Sequence, residues 1–386
     1  MHLFYWIAGL LLAGTWLWLV TNVTFGMPKV VDISLSAWDA ASTELPRLSI
    51  IVPARNEAEQ IRGCLISLLS LDYPDLEIVA VNDRSTDATG DIMNDVAASS
   101  FASGRLRIIH VTELPARWLG KTHAMWMAAS HATGDWILFT DGDVHFRADT
   151  LRRVVSYAQK DRADHVVLYP TMVMETPGER MMISYFLNNI SFIHRPWKIS
   201  DAKARDFVGA GAFNLIRHST YKAIGTYESM RLAIVDDLAL GKAVKGNGFA
   251  QRAVRGPGLA SIRWAKGASG VVNNLTKNFF ALMRYQWFLT VGAAVGSAFV
   301  GLGPLLGVIF APGWTRSGFV IALLANALVY LRMERFTRVS PVYFFTHPVA
   351  CILVIYTMLR STLVTLWDGG VTWRGTKYSL DELRAK

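Results

Sequence analysis

Hydrophobic residues in this chain are concentrated in two regions that flank a long segment of mixed polarity. The first is an uncharged stretch from Leu3 to Val20, which is long enough to cross a bilayer as a helix. It lacks the basic start and small-residue cleavage site of a signal peptide, so a retained anchor is favoured. The second region extends from Trp287 to Trp367, and its apolar segments predict three further spans, at about 287–311, 317–331 and 341–359.

Between these regions, short β-favouring runs alternate with helical patterns. Leu48–Val52 and Glu77–Val81 are strand-like, and apolar residues at helical spacing lie between them. This strand, helix, strand order predicts parallel pairing with a right-handed crossover. Further strands are predicted at Leu106–Val111 and in the run that ends at Asp141. The predicted fold class is therefore α/β with a mostly parallel sheet.

Polar residues follow three of the predicted strands. They are the groups Pro53–Glu57, Asn82–Asp87 and Asp141-Gly142-Asp143. Because ligands of open parallel sheets bind beyond the carboxyl ends of the strands, we expect the three groups to lie close together. Two carboxylates two positions apart on an extended segment point to the same side and suit Mg²⁺ or Mn²⁺. An isolated Asp-Gly-Asp would be read as a turn, but the convergence favours a site for a divalent metal and a diphosphate.

Two further segments carry candidate chemistry. Gly120 and Lys121 precede a predicted helix, where backbone N–H groups and a cation could bind a diphosphate, although a lysine there could equally be a surface residue. Asp236 and Asp237 open a later helix, and one carboxylate can cap it while the other faces the cleft. We assign Asp237 as the general base. The apolar segment 179–193 could pack in the core or lie at the bilayer surface, and the surface is favoured.

Composition excludes several classes of protein. The chain has 386 residues, 52% hydrophobic content and a net charge of +9, but no basic stripe with interleaved aromatic residues, so nucleic acid is not an expected partner. Cys64 and Cys351 lie in different regions, which argues against a disulfide framework or a cysteine metal site. Neither glycine-rich pattern of dinucleotide-binding and P-loop proteins is present.

Taken together, the motifs resemble those of family 2 glycosyltransferases with the GT-A fold. The resemblance rests on five segments in the family's order within residues 47–265: LSIIVPARNEAEQIRGCLISLLSLDYPDLEIVAVNDRSTDAT, the Gly-Lys at 120, TGDWILFTDGDV, GAGAFNLIRHSTYKAIG and VDD before LALGKAVK. It implies nucleotide-sugar contacts at Pro53, Arg55, Glu57, Asp83, Lys121 and Asp141, metal contacts at Asp141 and Asp143, and a catalytic base at Asp237. Acceptor contacts are expected at Gly211, Asp236, Arg263 and Trp264.

Membrane relatives that modify lipids or make polysaccharides carry a (Q/R)xxRW motif, which this chain matches only in part. Arg263 and Trp264 match its end, but Ala260 stands where Gln or Arg is expected, which disfavours a processive synthase. The expected function is inverting transfer of one sugar, with a UDP-sugar as the expected donor, to a lipid hydroxyl at the cytoplasmic leaflet. A polysaccharide synthase and a catalytically silent nucleotide-sugar-binding protein are the alternatives. The oligomeric state is not predicted.

Domain boundaries and topology follow from the same pattern. We expect an anchor at 1–25, a linker at 26–46, the GT-A domain at 47–265, an interfacial helix region at 266–285, a transmembrane region at 286–367 and a tail at 368–386. A cytosolic catalytic domain followed by three spans would leave the carboxy terminus outside, yet Arg374, Lys377, Arg384 and Lys386 favour the inside. Either one segment is re-entrant, with the break at Gly301–Pro304 as the candidate, or 341–367 holds an additional crossing.

Overall fold

A computed structural model describes residues 2–39 and 45–384 of the protein, so part of the predicted linker and the terminal Lys386 lie outside the described residues. The helices are α1 (His2–Gly26), α2 (Ile61–Leu69), α3 (Thr89–Ala98), α4 (Gly120–Ser130), α5 (Thr150–Lys160), α6 (Pro177–His194), α7 (His218–Ala223), α8 (Asp236–Gly246), α9 (Gly267–Leu282), α10 (Trp287–Phe310), α11 (Arg316–Thr337), α12 (His347–Trp367) and α13 (Leu380–Arg384). The strands are β1 (Val31–Asp32), β2 (Leu48–Ala54), β3 (Leu76–Asp83), β4 (Leu106–Val111), β5 (Trp136–Phe139), β6 (Val144–Phe146), β7 (His165–Tyr169), β8 (Thr171–Met172), β9 (Asn214–Arg217), β10 (Gln251–Arg255), β11 (Ala260–Ile262), β12 (Gly370–Trp373) and β13 (Thr376–Ser379).

The central sheet has eight strands in the order β1-β10-β7-β9-β5-β2-β3-β4. All neighbours pair in parallel except β9, which is antiparallel to both β5 and β7. Every residue of β2 and β5 is buried, as expected for strands covered by helices on both faces. The predicted α/β class with a mainly parallel sheet is confirmed.

Part of the segment predicted as a linker belongs to the sheet. Val31 and Asp32 form strand β1, which pairs in parallel with Val254 and Arg255 at the edge of the sheet. The Arg153 guanidinium donates to the Ile33 carbonyl at 3.1 Å and secures the residues that follow. The chain is therefore attached to the catalytic domain as soon as it leaves α1.

Helices α6 and α9 form a layer between the sheet and the apolar helices. Helix α6 starts with a capping box, in which the Glu179 amide donates to Thr176 Oγ1 at 3.3 Å. Met182, Ile183 and Tyr185 of this helix are buried in one cluster with α9 and α12. The apolar surface of segment 179–193 is thus covered on one side by other helices of the protein.

Among the described residues, four helices are long and apolar enough to cross a membrane: α1, α10, α11 and α12. This confirms the prediction of one N-terminal and three C-terminal apolar helices. The end of α11 lies against the catalytic domain, because the Arg255 guanidinium stacks 5.0 Å from the Phe336 ring. Helix α1 also ends at the domain, since β1 follows it. We call this end of the bundle the domain side.

The predicted break in the first C-terminal segment is wrong, because α10 continues through Pro304. Gly301 instead permits close packing: a Cβ there would lie 2.6 Å from Cys351 Sγ of α12. Helix α12 begins at His347, whose ring hydrogen-bonds to Tyr330 at 3.1 Å and packs 5.8 Å from the Trp16 ring. The first residues of α12 therefore lie beside the interior of α1 and α10 and not beyond their far ends.

From this starting point α12 runs antiparallel to α10 and returns to the domain side. Thr362 Oγ1 donates to Thr290 Oγ1 at 3.1 Å near the start of α10, and the Phe280 amide of α9 donates to Ser361 Oγ at 3.0 Å. Strands β12 and β13 follow directly and form an antiparallel hairpin. This course matches the first of the two alternatives for the carboxy terminus, a re-entrant segment, which would be α12 and not α10; the sides that the helix ends take in a membrane stay a prediction.

This topology predicts the side of each loop. Single cysteines introduced as Asn247→Cys in the catalytic domain and Asp381→Cys after the hairpin should react with a membrane-impermeant thiol reagent from the same side of sealed vesicles. Trp314→Cys, in the loop between α10 and α11, should react only from the other side because α10 separates them. The background would lack Cys64 and Cys351. Labelling of positions 381 and 314 from one side would contradict the topology.

Candidate active site

The loops after β2 and β3 are joined by hydrogen bonds between side chains and backbone. The Thr86 amide donates to Asn56 Oδ1 at 2.8 Å, and the Asn56 amide donates to Ser85 Oγ at 3.1 Å. Asn56 and Arg84 both have positive φ angles, 54° and 53°, which cost on the order of 1 kcal/mol each in residues other than glycine. These strained turns fix two neighbouring strand ends at the edge of the sheet where ligands bind.

A cavity of about 180 Å³ opens at these strand ends. It is bounded by the turn after β5, the start of α4, one face of α9 and the β12–β13 hairpin. All six residues predicted to contact the nucleotide sugar line it, namely Pro53, Arg55, Glu57, Asp83, Lys121 and Asp141. Asp143 and Trp264 line it as well. Predicted site residues that are up to 211 positions apart in the chain (Pro53 to Trp264) thus share one cavity.

Lys121 holds two carboxylates together at the floor of this cavity. Its Nζ lies 2.7 Å from Asp141 Oδ1 and 3.2 Å from Asp236 Oδ2. Burial alone lowers the pKa of Lys121, but Asp141 and Asp236 outweigh that effect and raise it. Burial likewise raises the pKa of Asp141, yet the adjacent ammonium lowers it below its usual value. Both groups are therefore charged near neutral pH.

Asp143 lies in a different electrostatic environment. Burial, followed by the negative charges of Asp141 and Glu57, raises its pKa to about 7. Its Oδ1 atom is buried without a hydrogen-bond partner. A divalent cation would offset the repulsion and coordinate this oxygen, so Asp141 and Asp143 fit a Mg²⁺ or Mn²⁺ that takes its other ligands from water and diphosphate. Among the described residues, no group of three or more His, Cys, Asp or Glu side chains has a metal-binding arrangement.

Asp236 and Asp237 lie in different environments, but the predicted capping role is wrong, because Val235 is the N-cap of α8 and no side chain caps it. Asp236 is buried and its pKa is raised to about 6, first by burial and, against the effect of Lys121, by its acidic neighbours. Asp237 accepts hydrogen bonds from the Leu238 amide at 2.7 Å and the Gly211 amide at 2.9 Å. The loop before β9 therefore positions the Asp237 carboxylate beside the Lys121 cluster.

Comparison with known proteins agrees with this geometry. Residues 49–224 match the model of glycosyl transferase family 2. The chain is 23% identical over 343 residues to a 4,4'-diaponeurosporenoate glycosyltransferase of Staphylococcus aureus, covering 87% of this chain and 89% of the relative. Over these 176 of its 386 residues, the chain is similar to a family 2 glycosyltransferase domain. The sequence-level resemblance is thereby confirmed.

A solved structure supports the fold of this protein. A mannosyltransferase from Pyrobaculum calidifontis, in complex with GDP-Man and Mn²⁺, superimposes with a TM-score of 0.52. The match covers 94% of this chain and 99% of the mannosyltransferase chain, at 18% sequence identity. The predicted GT-A-like fold is confirmed by this similarity.

Of the four residues predicted for the acceptor, three lie at or near the cavity and one is engaged elsewhere. Trp264 lines the cavity and stacks on Phe186 of α6 with 5.0 Å between ring centroids. Arg263 points to the start of α6, where its guanidinium lies 2.6 Å from Glu175 and 2.9 Å from Glu179. These two ion pairs are sufficient to account for the position of the Arg263 side chain. A direct acceptor contact by Arg263 therefore stays an untested prediction.

Sequence reasoning missed the part of the cavity formed by the C-terminal hairpin. The Gly120 amide donates to Tyr378 Oη at 3.1 Å, and Arg55 Nη1 donates to Thr376 Oγ1 at 3.1 Å. Arg374 donates to the Arg55 carbonyl and the Glu57 carboxylate. The segment predicted as a tail is therefore a wall of the cavity. Hydrophobic periodicity carries no signal for this wall, because its contacts depend on how the elements pack.

Gly211→Ala should impair glycosyl transfer without unfolding this glycosyltransferase. A Cβ at this position would lie 2.5 Å from Asp141 Oδ2 and 3.5 Å from Lys121 Nζ, so the Asp141 carboxylate would have to move. We expect kcat/KM to fall about tenfold or more, because displacement of a preorganised charge costs on the order of 1–3 kcal/mol. Gly246→Ala is the matched control, since nothing lies within 4 Å of its Cβ. Equal activity of Gly211→Ala and Gly246→Ala, with Tm near that of the wild type, would contradict the assignment of Asp141 to the active site.

Proposed function

We propose that the protein is a membrane-bound, metal-dependent inverting glycosyltransferase that moves one sugar from a nucleotide sugar to a lipid hydroxyl at the cytoplasmic leaflet. The observation that carries the proposal is the ion-paired cluster of Lys121, Asp141 and Asp236, with the Asp237 carboxylate adjoining it, beside a cavity that helix α9 walls. It combines groups suited to a diphosphate and a metal with a carboxylate suited to a base.

We assign a role to each group in a single displacement. Asp237 accepts the proton of the acceptor hydroxyl, whose oxygen attacks the anomeric carbon of the sugar. The bond from that carbon to the diphosphate oxygen breaks on the opposite face, so the configuration inverts and the nucleoside diphosphate leaves. Lys121 supports the charge that develops on the leaving oxygen. A bound Mg²⁺ or Mn²⁺, held by Asp141 and Asp143, would supply further neutralisation of the diphosphate.

A lipid acceptor is supported by the similarity to the diaponeurosporenoate glycosyltransferase and by the position of the site. Helix α9 contributes Asn274 and Lys277 to the cavity and packs its opposite face on α12. An acceptor held in the bilayer would therefore need only its head group to leave the membrane. The solved structure of the mannosyltransferase is a complex with a nucleotide sugar, GDP-Man. On that basis, and because of the charges in the cavity, we propose a nucleotide sugar as the donor.

The cytoplasmic side is supported by charge at the domain end of the bundle. Arg332, Arg335 and Arg338 are exposed at the end of α11, which lies at the catalytic domain. Basic residues near the ends of membrane helices favour the cytoplasmic side. The inner membrane is accordingly the proposed location, with the donor taken from the cytosol.

A polysaccharide synthase is less well supported. Ala260 lies within strand β11, buried, at the position where synthases would carry a polar residue of the (Q/R)xxRW motif. Arg263 of the same motif is held by Glu175 and Glu179. Ala260 has no polar side-chain group, and both terminal guanidinium nitrogens of Arg263 are engaged by these carboxylates.

Membranes containing the protein, incubated with Mn²⁺ and labelled nucleotide sugars, should yield a lipid-extractable product with one sugar per lipid. Asp237→Asn should reduce transfer about 10²- to 10⁴-fold, the usual contribution of a general base, while donor binding persists. Asp143→Asn or chelation with EDTA should weaken donor binding because the metal is lost. Glu228→Gln, an exposed carboxylate away from the cavity, serves as the control. Transfer that is equal in wild type, Asp237→Asn and Asp143→Asn would refute the mechanism, and a lengthening polymer would favour the synthase.

A further inference from the structure

Lys277 is a cation of the cavity whose charge has no carboxylate partner. It lies on α9, and its side chain lines the same cavity as Lys121, Asp141 and Arg374. Within the described part of the chain it takes part in no ion pair within 4.0 Å and no side-chain hydrogen bond. Its identified contact is the ring of Trp373 in the C-terminal hairpin, with Nζ 4.6 Å from the ring centroid.

The other basic residues of the cavity differ in this respect. Lys121 bonds to Asp141 and Asp236, and Arg374 bonds to Glu57. Arg55 lies 4.0 Å from Asp83 and also donates to Thr376. An ammonium that is half-buried among cations and lacks a counter-ion is unfavourable, unless a ligand supplies negative charge.

The two faces of α9 explain why this lysine points into the cavity. Val271, Leu275 and Phe279, spaced by four residues, are buried against α6 and α12. Asn274, Lys277 and Asn278 occupy the opposite face and line the cavity. Asn274 Nδ2 also donates to the Trp264 carbonyl at 2.6 Å, which fixes this face of α9 relative to the sheet domain.

The contact with Trp373 restrains the ammonium but leaves its hydrogen-bonding capacity unused. A tryptophan ring attracts a cation through its π face and offers no acceptor atom for N–H groups. The three N–H donors of Lys277 are therefore available to oxygen atoms in the cavity. Among the groups expected there, a diphosphate is the one that brings several acceptor oxygens and more than one negative charge.

We propose that Lys277 is a second cation for the donor diphosphate, acting with Lys121 and held in place by Trp373 of the C-terminal hairpin. The inference rests on the proposed function, because it assumes a nucleoside-diphosphate donor. It assigns part of the donor site to the interfacial helix α9 and part to the hairpin, so donor binding depends on elements outside the segment that matches the family model.

The test is competition of nucleoside diphosphates and nucleosides against a labelled nucleotide sugar, with Mn²⁺, using UDP, GDP, uridine and guanosine. Lys277→Met should weaken binding of the diphosphate about 10- to 100-fold, the usual loss for a hydrogen bond to a charged group, and leave nucleoside binding unchanged. Lys277→Arg, which keeps the charge and the donors, should retain most of the affinity. Trp373→Leu should give a smaller loss than Lys277→Met.

Lys266→Met is the matched control, since Lys266 immediately precedes α9 but pairs with the exposed Glu59 at 2.7 Å outside the cavity. Equal diphosphate affinity of Lys277→Met and Lys266→Met would overturn the inference. An equal loss for nucleoside and diphosphate would also overturn it, because that would show a structural effect. A wild-type protein that binds neither UDP nor GDP would refute the proposed donor itself, and the inference with it.

Discussion

The arrangement of the site depends on one buried ammonium between two carboxylates. Asp141 follows strand β5, Asp236 begins α8, and Lys121 lies in the first turn of α4, so three separate elements meet at this cation. Without Lys121, the acidic groups of this region would repel one another in surroundings of low dielectric constant. The ion pairs therefore determine the charge state of the site. They also determine the distance between the residues proposed to bind the sugar donor and the proposed base.

Strand β9 is the element that brings the base to this cation. It enters the sheet antiparallel between β5 and β7, so the loop before it returns to the same edge as the Asp-Gly-Asp turn. That loop packs very tightly on α8: a Cβ on Gly209 would lie 1.9 Å from the Asp237 carbonyl oxygen, and one on Gly241 would lie 1.8 Å from the Val208 carbonyl oxygen. Only residues without a side chain permit this approach, and it is what allows the Gly211 amide to reach the Asp237 carboxylate.

The membrane helices and the catalytic site form one connected structure. Helix α9 is covered by α12 on its apolar face and contributes polar side chains to the cavity on the other. Because α12 returns to the domain side, the hairpin after it can reach the strand ends, where Tyr378 accepts from the Gly120 amide. A change in the position of α12 would therefore alter the cavity through direct contacts, and with it the proposed binding of the donor.

The pattern of strands and helices read from the sequence was sufficient to predict the features that depend on residues close together in the chain. Strand–helix alternation predicted the parallel sheet, and the position of Asp83, Asp141, Asp143 and Asp237 after strands or at a helix start predicted that they meet, because strand ends of a parallel sheet share one edge. Tertiary structure alone decided the antiparallel entry of β9 and the return of α12. It also decided the proposed roles of Lys277, Trp373, Arg374 and Tyr378. Arg374 and Tyr378 reach the cavity through contacts with Arg55 and Gly120, which are 319 and 258 positions away in the chain. No periodicity of hydrophobic and polar residues records such a contact, since it depends on how whole elements pack.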